Sequence, residues 1–597
     1  MTIFGKQTGL AILIALTVLL AVLPFWLIIH SVGDDWQGVV PAGYVFDSEF
    51  YIVRMIKGTQ IFPFGNNPFF IESAEDFNPA LSAADYIAAI PLKLGLPLVT
   101  TLIFNTVFWN LVFVIFLWLF LRNLGISANW IFWLMPIIYF SVYGAIIRPV
   151  VWQVVLPFFM FFLFGFSAWL KNSTLANKIM LAGGIAGTLY IYPYTWQISF
   201  LTLGLYFVWF LINHQWSKSK SQMQIIILAL IIALPAMLYL YKIISNPLFP
   251  EFLKNIGSIK TYLPSKVSFQ LARWPVINIF LWHIMARFMP RLGGDKDFNR
   301  ARVLLSIYGL AIFILSMSPF ITGRDGAIGD HMGRELFFWL SVSVAVSIYS
   351  IFSNGDFYRL KSYKKIIIIL LVAINIIPVL KHYKRSLLQP FQATKSEIMA
   401  VQDYAKPTAW LEKYDKNPSV VWASSSIGGY SSILSKNYVL GSSDLAYQYW
   451  NTKREIQERY LVSKYFDDIT PQFLNDDSTA ALGHSYVRRL DDLKWKSNIC
   501  GMLKFIMLNG CFPTSSSLTL SELLSQKNKD IAELISKNEK EIRPHIAEWL
   551  KKYRVVYAIK DVKNDPGFHI EKFKNFKEIY NDGRFVMYIN QSLSILD

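Results

Sequence analysis

The sequence contains few cysteines and few charged residues for its length. Only Cys500 and Cys511 occur among 597 residues, and no His or Cys spacing is typical of a zinc site. Charged residues make up 16% of the chain, a small share beside many long apolar runs, and this combination argues against an ordinary soluble protein. The sequence has no internal repeat, no low-complexity tract and no nucleic-acid-binding motif. The low share of charge and the many long apolar runs indicate a polytopic membrane protein.

Long apolar runs are what the sequence does contain. Eleven of them are long enough, or nearly so, to cross a bilayer. They lie near 9–30, 98–121, 129–147, 150–170, 178–193, 196–213, 224–243, 274–290, 302–321, 335–352 and 365–381. Three are weaker than the rest, because 178–193 and 365–381 are short and 274–290 contains His283 and Arg287. The first run is too long for the apolar part of a signal peptide, so we expect it to remain as a membrane helix.

The basic residues set the expected orientation. The net charge is +17, and Lys and Arg concentrate in every second short loop, as the positive-inside rule requires of cytoplasmic loops. We therefore expect a multi-pass protein of the cell's inner (plasma) membrane with its N-terminus inside. Three longer segments, about 31–97, 244–273 and 322–334, then lie outside, together with the C-terminal third of the chain.

The composition changes after Lys381, where Lys, Asp, Glu, Ser and Asn become frequent. Four short apolar runs predict strands and three longer stretches predict helices. The strands are 419–423, 438–440, 555–559 and 585–589, and the helices are 395–414, 518–536 and 540–553. We therefore predict a transmembrane domain over 1–381 and a soluble extracytoplasmic α/β domain over 382–597. The two cysteines fall in the second domain, where they are either bridged or two free thiols.

The first outer segment, 31–97, is rich in acidic and aromatic residues. Residues 46–58 predict an amphipathic helix at the membrane interface, and 81–90 predict a second one that stops at Pro91. Asp47, Tyr51 and Arg54 have the spacing i, i+4, i+7, so they share one face of the first helix. A charged helical face beside a membrane is where an enzyme acting on a lipid-borne substrate would hold its acid–base group.

The layout resembles that of the GT-C glycosyltransferases, polytopic membrane enzymes that take sugars from polyprenyl-phosphate carriers. The resemblance is carried by the first outer loop at 47–54, the Asn-Pro and Glu of 66–72, the late outer loop 331–339, and the terminal stretches 549–559 and 576–588. It covers the whole chain in layout and only short motifs in sequence. It implies an integral membrane glycosyltransferase that moves a sugar, with inversion, from a polyprenyl-phosphate carrier to a glycan, lipid or protein acceptor outside the membrane, as in the building of cell-envelope glycans.

The implied reaction needs one carboxylate to accept or orient the proton of the acceptor hydroxyl. Asp47 is the first choice, with Asp34, Asp35 and Glu49 behind it, and solvation of a loop is the alternative role for each. The leaving phosphate must meet cations and hydrogen-bond donors. The candidate binding residues are Tyr51, Arg54, Arg148, Arg273, Arg324, His331 and Arg334. Contact with lipid headgroups is the alternative role for the basic residues.

Arg334 is the strongest candidate among the cations. His331 lies three residues before it, on the same face if the helix begins that early, and the neighbouring Glu335 could orient it.

The sequence leaves a metal ion and two other functions open. Asp47 and Glu49 could share a divalent cation, Mg²⁺ or Mn²⁺, with Asp34 or Asp35, whereas arginine and histidine could neutralise the phosphate unaided. A transporter or flippase of a lipid-linked glycan usually places ionisable groups near the bilayer midplane and shows repeated halves. An O-antigen ligase or polymerase carries its large loop between late spans. The sequence fits neither of these patterns as well as it fits a glycosyltransferase. We therefore expect a glycosyltransferase that contacts membrane lipids and no nucleic acid.

Overall fold

The structure is a computed structural model in which part of the chain is described. The described residues are 6–41, 48–63, 65–81, 83–256, 258–289, 294–325, 328–353, 356–388, 391, 393–414, 417–424, 426–441, 447, 449–483, 492–493, 495–496, 498–500 and 520–593. Most of them are helical, and a small sheet forms near the C-terminus.

Within this described part, nine helices are long and apolar enough to cross a membrane. A helix suits such a run because it satisfies every backbone polar group within the segment. The nine helices are Lys6–Val32, Leu98–Asn123, Ala128–Ile147, Val151–Lys171, Pro193–Ile212, Trp216–Ile244, Lys296–Ser316, Ile328–Ser353 and Ser362–Leu388. The predicted class, a polytopic α-helical membrane protein with a C-terminal α/β region, is confirmed.

Two of the three weaker predicted runs form helices that fall outside this group. Leu175–Ile191 is apolar and has 17 residues, while Lys266–Phe288 has 23 residues and carries basic side chains. Both pack against the long helices. The third weak run, predicted at 365–381, belongs to the 27-residue helix Ser362–Leu388, so this last apolar helix continues past the predicted domain boundary at 381.

The segment after the first helix is built from short elements. They are the 3₁₀ turns Gly33–Asp35 and Ile71–Ser73 and the helices Ser48–Lys57 and Ala83–Lys93. The second helix passes Pro91 and ends two residues later, so the predicted stop at Pro91 was wrong.

The amphipathic helix predicted at 46–58 forms at Ser48–Lys57, but its polar face is not left to water. Ser48, Arg54 and Lys57 are buried along with the apolar residues of the helix Ser48–Lys57. The reason is that the C-terminal region packs over the face that the prediction left to water.

The C-terminal region contains a five-stranded sheet with helices around it. Its strands are β3 (Val420–Ala423), β4 (Tyr438–Val439), β5 (Val555–Asp561), β6 (Phe576–Asn581) and β7 (Phe585–Asn590), in the order β4-β3-β5-β7-β6. Strand β3 is parallel to β4 and β5, while β7 is antiparallel to β5 and β6. The four predicted strands are confirmed, and the edge strand β6 was missed.

The remaining elements are short or surround the sheet. Two short strands, β1 (Ile259–Lys260) and β2 (Arg324–Asp325), precede the five-stranded sheet in the chain and pair with each other antiparallel. The helices between the long apolar ones are Phe249–Asn255, Pro319–Thr322 and Asp356–Arg359. Those of the C-terminal region are Lys395–Gln402, Ala405–Tyr414, Ile427–Leu434, Lys453–Ser463, Pro471–Asp476, Ser478–Leu482, Leu520–Lys537 and Ile546–Lys552, with a π turn at Asn538–Ile542 and a 3₁₀ turn at Ile570–Lys572.

Cys500 is disulfide-bonded. Cys511, the other cysteine in the sequence, lies outside the described residues.

Buried polar contacts join the first outer segment to the C-terminal region. The Lys57 ammonium donates to the Asn437 carbonyl and lies 4.8 Å from the centre of the Tyr438 ring. In the opposite direction, Nη2 of Arg459 in the C-terminal region lies 2.5 Å from Oε2 of Glu72 in the first outer segment. Because buried charges need partners, these contacts fix how the two parts meet.

Lys57 should make the stability of this junction depend on pH. Burial lowers the pKa of Lys57 to about 7, although Glu412 acts in the opposite direction. Between about pH 7 and the ordinary lysine pKa near 10.4, the unfolded chain holds a proton that the folded chain lacks. Stability should therefore rise with pH across this window, by up to about 1.4 kcal/mol per pH unit.

The variant Lys57→Met should flatten the rise in melting temperature between pH 7 and pH 10. The matched control is Lys93→Met, since Lys93 also donates to a backbone carbonyl, that of Thr59, but is exposed. Thermal unfolding of the detergent-solubilised protein measures the effect. Identical pH profiles for Lys57→Met and the unmodified protein would contradict the assignment.

Candidate anion site at the ends of the apolar helices

A tight reversal of the chain presents the first cation. Arg148 caps the C-terminal end of Ala128–Ile147, and its backbone N–H donates to the Ala145 carbonyl. The next helix begins at Val151, so only three residues make the turn. Val150 has φ of +70°, a conformation that is costly for a β-branched residue. The turn therefore fixes Arg148 between the ends of two consecutive apolar helices.

Arg148 and Arg334 both pack on aromatic rings. The guanidinium carbon of Arg148 lies 4.6 Å from the centre of the Tyr51 ring, and that of Arg334 lies 4.4 Å from the centre of the Trp152 ring. The two arginines are near enough for their charges to interact unfavourably. No carboxylate of the described residues forms an ion pair with Arg334.

Tyr192, Tyr194 and His331 form a second layer beside these arginines. The Tyr192 hydroxyl is hydrogen-bonded to Nδ1 of His331 at 2.9 Å. The His331 ring stacks on Tyr194 with the ring centres 4.1 Å apart. His331 lies one helical turn before Arg334, because the helix Ile328–Ser353 begins early enough to include both. The imidazole is thus fixed by aromatic side chains rather than by an acid.

Glu335 is the carboxylate closest to this group along the helix. It is 1% exposed, and Thr195 Oγ1 donates to its Oε1 at 3.4 Å. The other oxygen, Oε2, has no hydrogen-bond partner within the described structure. Glu335 is therefore only partly satisfied at a position next to Arg334.

The arrangement is suited to binding an anion. A guanidinium has N–H groups that match a bidentate acceptor such as a phosphate, and Arg334 forms no ion pair with a described carboxylate. Two like charges brought together in a mostly buried place repel each other, and a bound anion relieves that repulsion. We call Tyr51, Arg148, Trp152, His331 and Arg334 the arginine cluster.

Two more basic residues, His382 and Arg385, extend the arginine cluster toward the end of Ser362–Leu388. His382 stacks on Phe337 with ring centres 3.9 Å apart and interacts electrostatically with Arg334 and Arg385. The sequence analysis missed His382 and Arg385, because a basic residue at the end of an apolar run is typical of any membrane helix.

The other candidate cations lie elsewhere. Arg54 is buried and bound to Asp85, with Nη2 2.5 Å from Oδ2. This ion pair gives Arg54 a structural role within the first outer segment. Arg273 is exposed and lies 4.9 Å from the Trp274 ring centre, and Arg324 is exposed on strand β2. The structure shows no contact between these three residues and Arg334.

The candidate carboxylates are spread over the first outer segment. Asp47, the first choice for the base, lies outside the described residues. Asp34 and Asp35 are exposed in the turn after the first helix, where Asp35 lines a cavity shared with Asp403 and Arg584.

Glu49 keeps part of its side chain in contact with solvent, while its carboxylate lies against the C-terminal region. A Cβ at Gly429 would overlap its carboxylate. Protein surrounds Glu49 on most sides, and this burial raises the pKa of its carboxyl. Where the chain is described, no group of three His, Cys, Asp or Glu side chains could hold a metal ion.

The aromatic members of the site were the hardest to predict. Trp152, Tyr192 and Tyr194 have no sequence signal that separates them from the many rings found at membrane interfaces. Their role follows only from the three-dimensional contacts, which place each ring against a cation or an imidazole.

Comparisons with known proteins find distant structural likenesses. No family model matches the chain, and no curated protein matches it. Among solved structures it is similar to the crystal structure of ArnT from Cupriavidus metallidurans bound to undecaprenyl phosphate, with 12% identity and a TM-score of 0.40, over 96% of this chain and 98% of that chain. A likeness of this size does not establish a family for this chain.

Proposed function

We propose that the protein is an integral membrane glycosyltransferase that takes a sugar from a polyprenyl-phosphate carrier. The observation that carries the proposal is the pair Arg148 and Arg334, two neighbouring guanidiniums that pack on aromatic rings at the ends of apolar helices. A phosphate attached to a membrane lipid would meet them there. The acceptor would be a glycan, lipid or protein on the outer face.

The arginine cluster would stabilise the leaving group. The acceptor oxygen attacks the anomeric carbon, a new C–O bond forms, and the bond between that carbon and the phosphate oxygen breaks. Polyprenyl phosphate leaves with the electron pair and gains negative charge. Arg148 and Arg334 would neutralise this charge through charge-assisted hydrogen bonds, which strengthen as the charge develops.

The proton of the acceptor hydroxyl must pass to a carboxylate. Asp47 remains our first choice, since it stands one residue before the helix Ser48–Lys57 and four before Tyr51, whose ring contacts Arg148. Glu49 is the alternative on the same helix, and its raised pKa would bring it closer to the working pH of a general base.

Arg334 provides the most direct test of phosphate binding. Arg334→Ala should raise the KM for a polyprenyl-phosphate sugar about tenfold or more, because a hydrogen-bonded charge on the phosphate is lost. Arg334→Lys should recover only part of the loss, since a point charge replaces a planar fork. Arg287→Ala, an exposed arginine in the last turn of Lys266–Phe288, is the matched control. Normal donor binding and turnover in both Arg334 variants would contradict this role and would mean that Arg334 only contacts lipid headgroups.

The three aspartates of the first outer segment can be ranked by single Asn variants. We expect Asp47→Asn to lower sugar transfer by about a hundredfold or more, because the substitution keeps the shape and removes the base. Asp34→Asn and Asp35→Asn should retain most of the rate, since both side chains lie in an exposed turn. Each variant is checked for folding by its melting temperature. Should Asp47→Asn stay near full rate while Asp34→Asn or Asp35→Asn abolishes transfer, the base is one of the latter two.

The orientation of the chain can be tested independently of catalysis. We expect the N-terminus inside and the C-terminal region outside, from the distribution of Lys and Arg. Eleven crossings, which include Leu175–Ile191 and Lys266–Phe288, place Lys218 inside and the C-terminal region outside. Reporter fusions at Lys218 and Lys395 should therefore report opposite sides of the membrane, and the same side for both would overturn the topology.

A further inference from the structure

A cavity of about 470 Å³ opens in the C-terminal region, away from the arginine cluster. This size is within the range of about 300–1,000 Å³ that is common for small-molecule sites. Its walls come from residues that follow three parallel strands. Ser424 and Ser426 follow β3, Gly441 follows β4, and Asp565 and Phe568 come after β5.

The strand order explains why a cavity forms here. Strand β3 is flanked by β4 on one side and β5 on the other, and all three are parallel. The segments that leave β3 and β5 therefore diverge at the carboxyl edge and open a crevice between them. Open α/β sheets bind their ligands at such a point, where the direction of strand addition reverses. The position alone marks the cavity as a place for a ligand.

The charged lining of the cavity is mainly acidic, and three serines and a tyrosine are its other polar residues. Asp467, Asp477 and Asp565 contribute carboxylates, and Lys464 is the one basic residue among the described lining. Lys464 is already 3.8 Å from Asp467, and the Tyr460 hydroxyl donates to Asp477 at 2.9 Å. The cavity thus offers hydrogen-bond acceptors to a ligand and carries little positive charge.

Aromatic rings and small residues complete the walls. Phe466 and Phe568 lie with ring centres 5.1 Å apart and nearly perpendicular planes. Gly428 and Gly429 bring backbone close to the space. A saccharide has apolar C–H groups that pack on rings and hydroxyls that donate to carboxylates, so the partly exposed Phe466 and the three aspartates match its chemistry.

Two other ligands fit less well. The helix Ile427–Leu434 begins beside the cavity, and its N-terminus would favour a phosphate, but three carboxylates at the same opening oppose an anion. A metal ion needs several close ligands, and these three aspartates, like every other set of described His, Cys, Asp and Glu side chains, do not form a group that could hold one.

We propose that this cavity binds a saccharide that is neutral or carries an amino group. The proposal goes beyond the transferase function and does not depend on it, because it concerns binding in the C-terminal region alone. The cavity wall also touches the first outer segment, since Gly429 lies against Glu49. A saccharide held here would therefore lie next to the helix that carries Tyr51.

The test measures binding of three tetrasaccharides to the full chain in lipid nanodiscs. Nanodiscs replace sugar-headed detergents, which would compete for the cavity. The probes are maltotetraose, which is neutral, a chitosan tetramer, which is cationic, and tetragalacturonate, which is anionic. Titration calorimetry should detect maltotetraose or the chitosan tetramer and no binding of tetragalacturonate. Binding of tetragalacturonate alone, or of none of the three, would overturn the proposal.

Two variants locate the binding. Asp467→Asn should weaken the chitosan tetramer about tenfold or more, since a charged hydrogen-bond acceptor is lost. The matched control is Asp468→Asn, because Asp468 is the exposed neighbour that does not line the cavity. Ala480→Trp should occlude the space and abolish binding of every probe that binds the unmodified chain. Unchanged affinity in both Asp467→Asn and Ala480→Trp would place the binding elsewhere and contradict the proposal.

Discussion

The need to pair buried charges determines how this protein is assembled. Arg54, Lys57 and Arg459 are all nearly removed from water, at 8%, 2% and 1% exposure, and each must find partners nearby. Arg54 finds Asp85 within the first outer segment, whereas Lys57 and Arg459 reach across to the opposite part of the chain. The helix Ser48–Lys57 is consequently held between the apolar helices and the C-terminal region.

This placement has a direct consequence for the arginine cluster. Tyr51 projects from the clamped helix against Arg148, so the position of one guanidinium depends on contacts made by the C-terminal region. Trp152, in the first turn of Val151–Lys171, contacts Arg334, and Tyr192, between Leu175–Ile191 and Pro193–Ile212, is hydrogen-bonded to His331. Arg54 is bound to Asp85, whereas Arg334 forms no ion pair with a described carboxylate. We expect this difference to distinguish an arginine that binds a phosphate from one that holds the fold together.

Local sequence information was enough for much of the fold. Runs of about 20 apolar residues predicted the long helices, and alternating or β-branched runs predicted strands β3, β4, β5 and β7. Strand β6 escaped because the edge strand Phe576–Asn581 carries exposed polar residues that resemble a loop. The burial of Ser48–Lys57 could not be predicted, since its covering lies more than 350 residues further along the chain.

The candidate site could be predicted only in part. Tyr51, Arg148, His331 and Arg334 were identified because charge at the ends of apolar runs is visible in a sequence. The pairing of Arg54 with Asp85, 31 residues away, follows no helical spacing and therefore gave no signal. The same is true of Trp152 and Tyr194, whose meaning depends on which side chain each ring faces.

The central claim is that the arginine cluster binds the phosphate of a lipid-linked sugar and assists its departure. The most direct measurement incubates the purified protein with a labelled polyprenyl-phosphate sugar and membrane-extracted acceptors and follows the release of free polyprenyl phosphate. The account predicts release by the unmodified protein and a large loss of release in a variant that lacks both Arg148 and Arg334. Release that is equally fast without these two guanidiniums would contradict it.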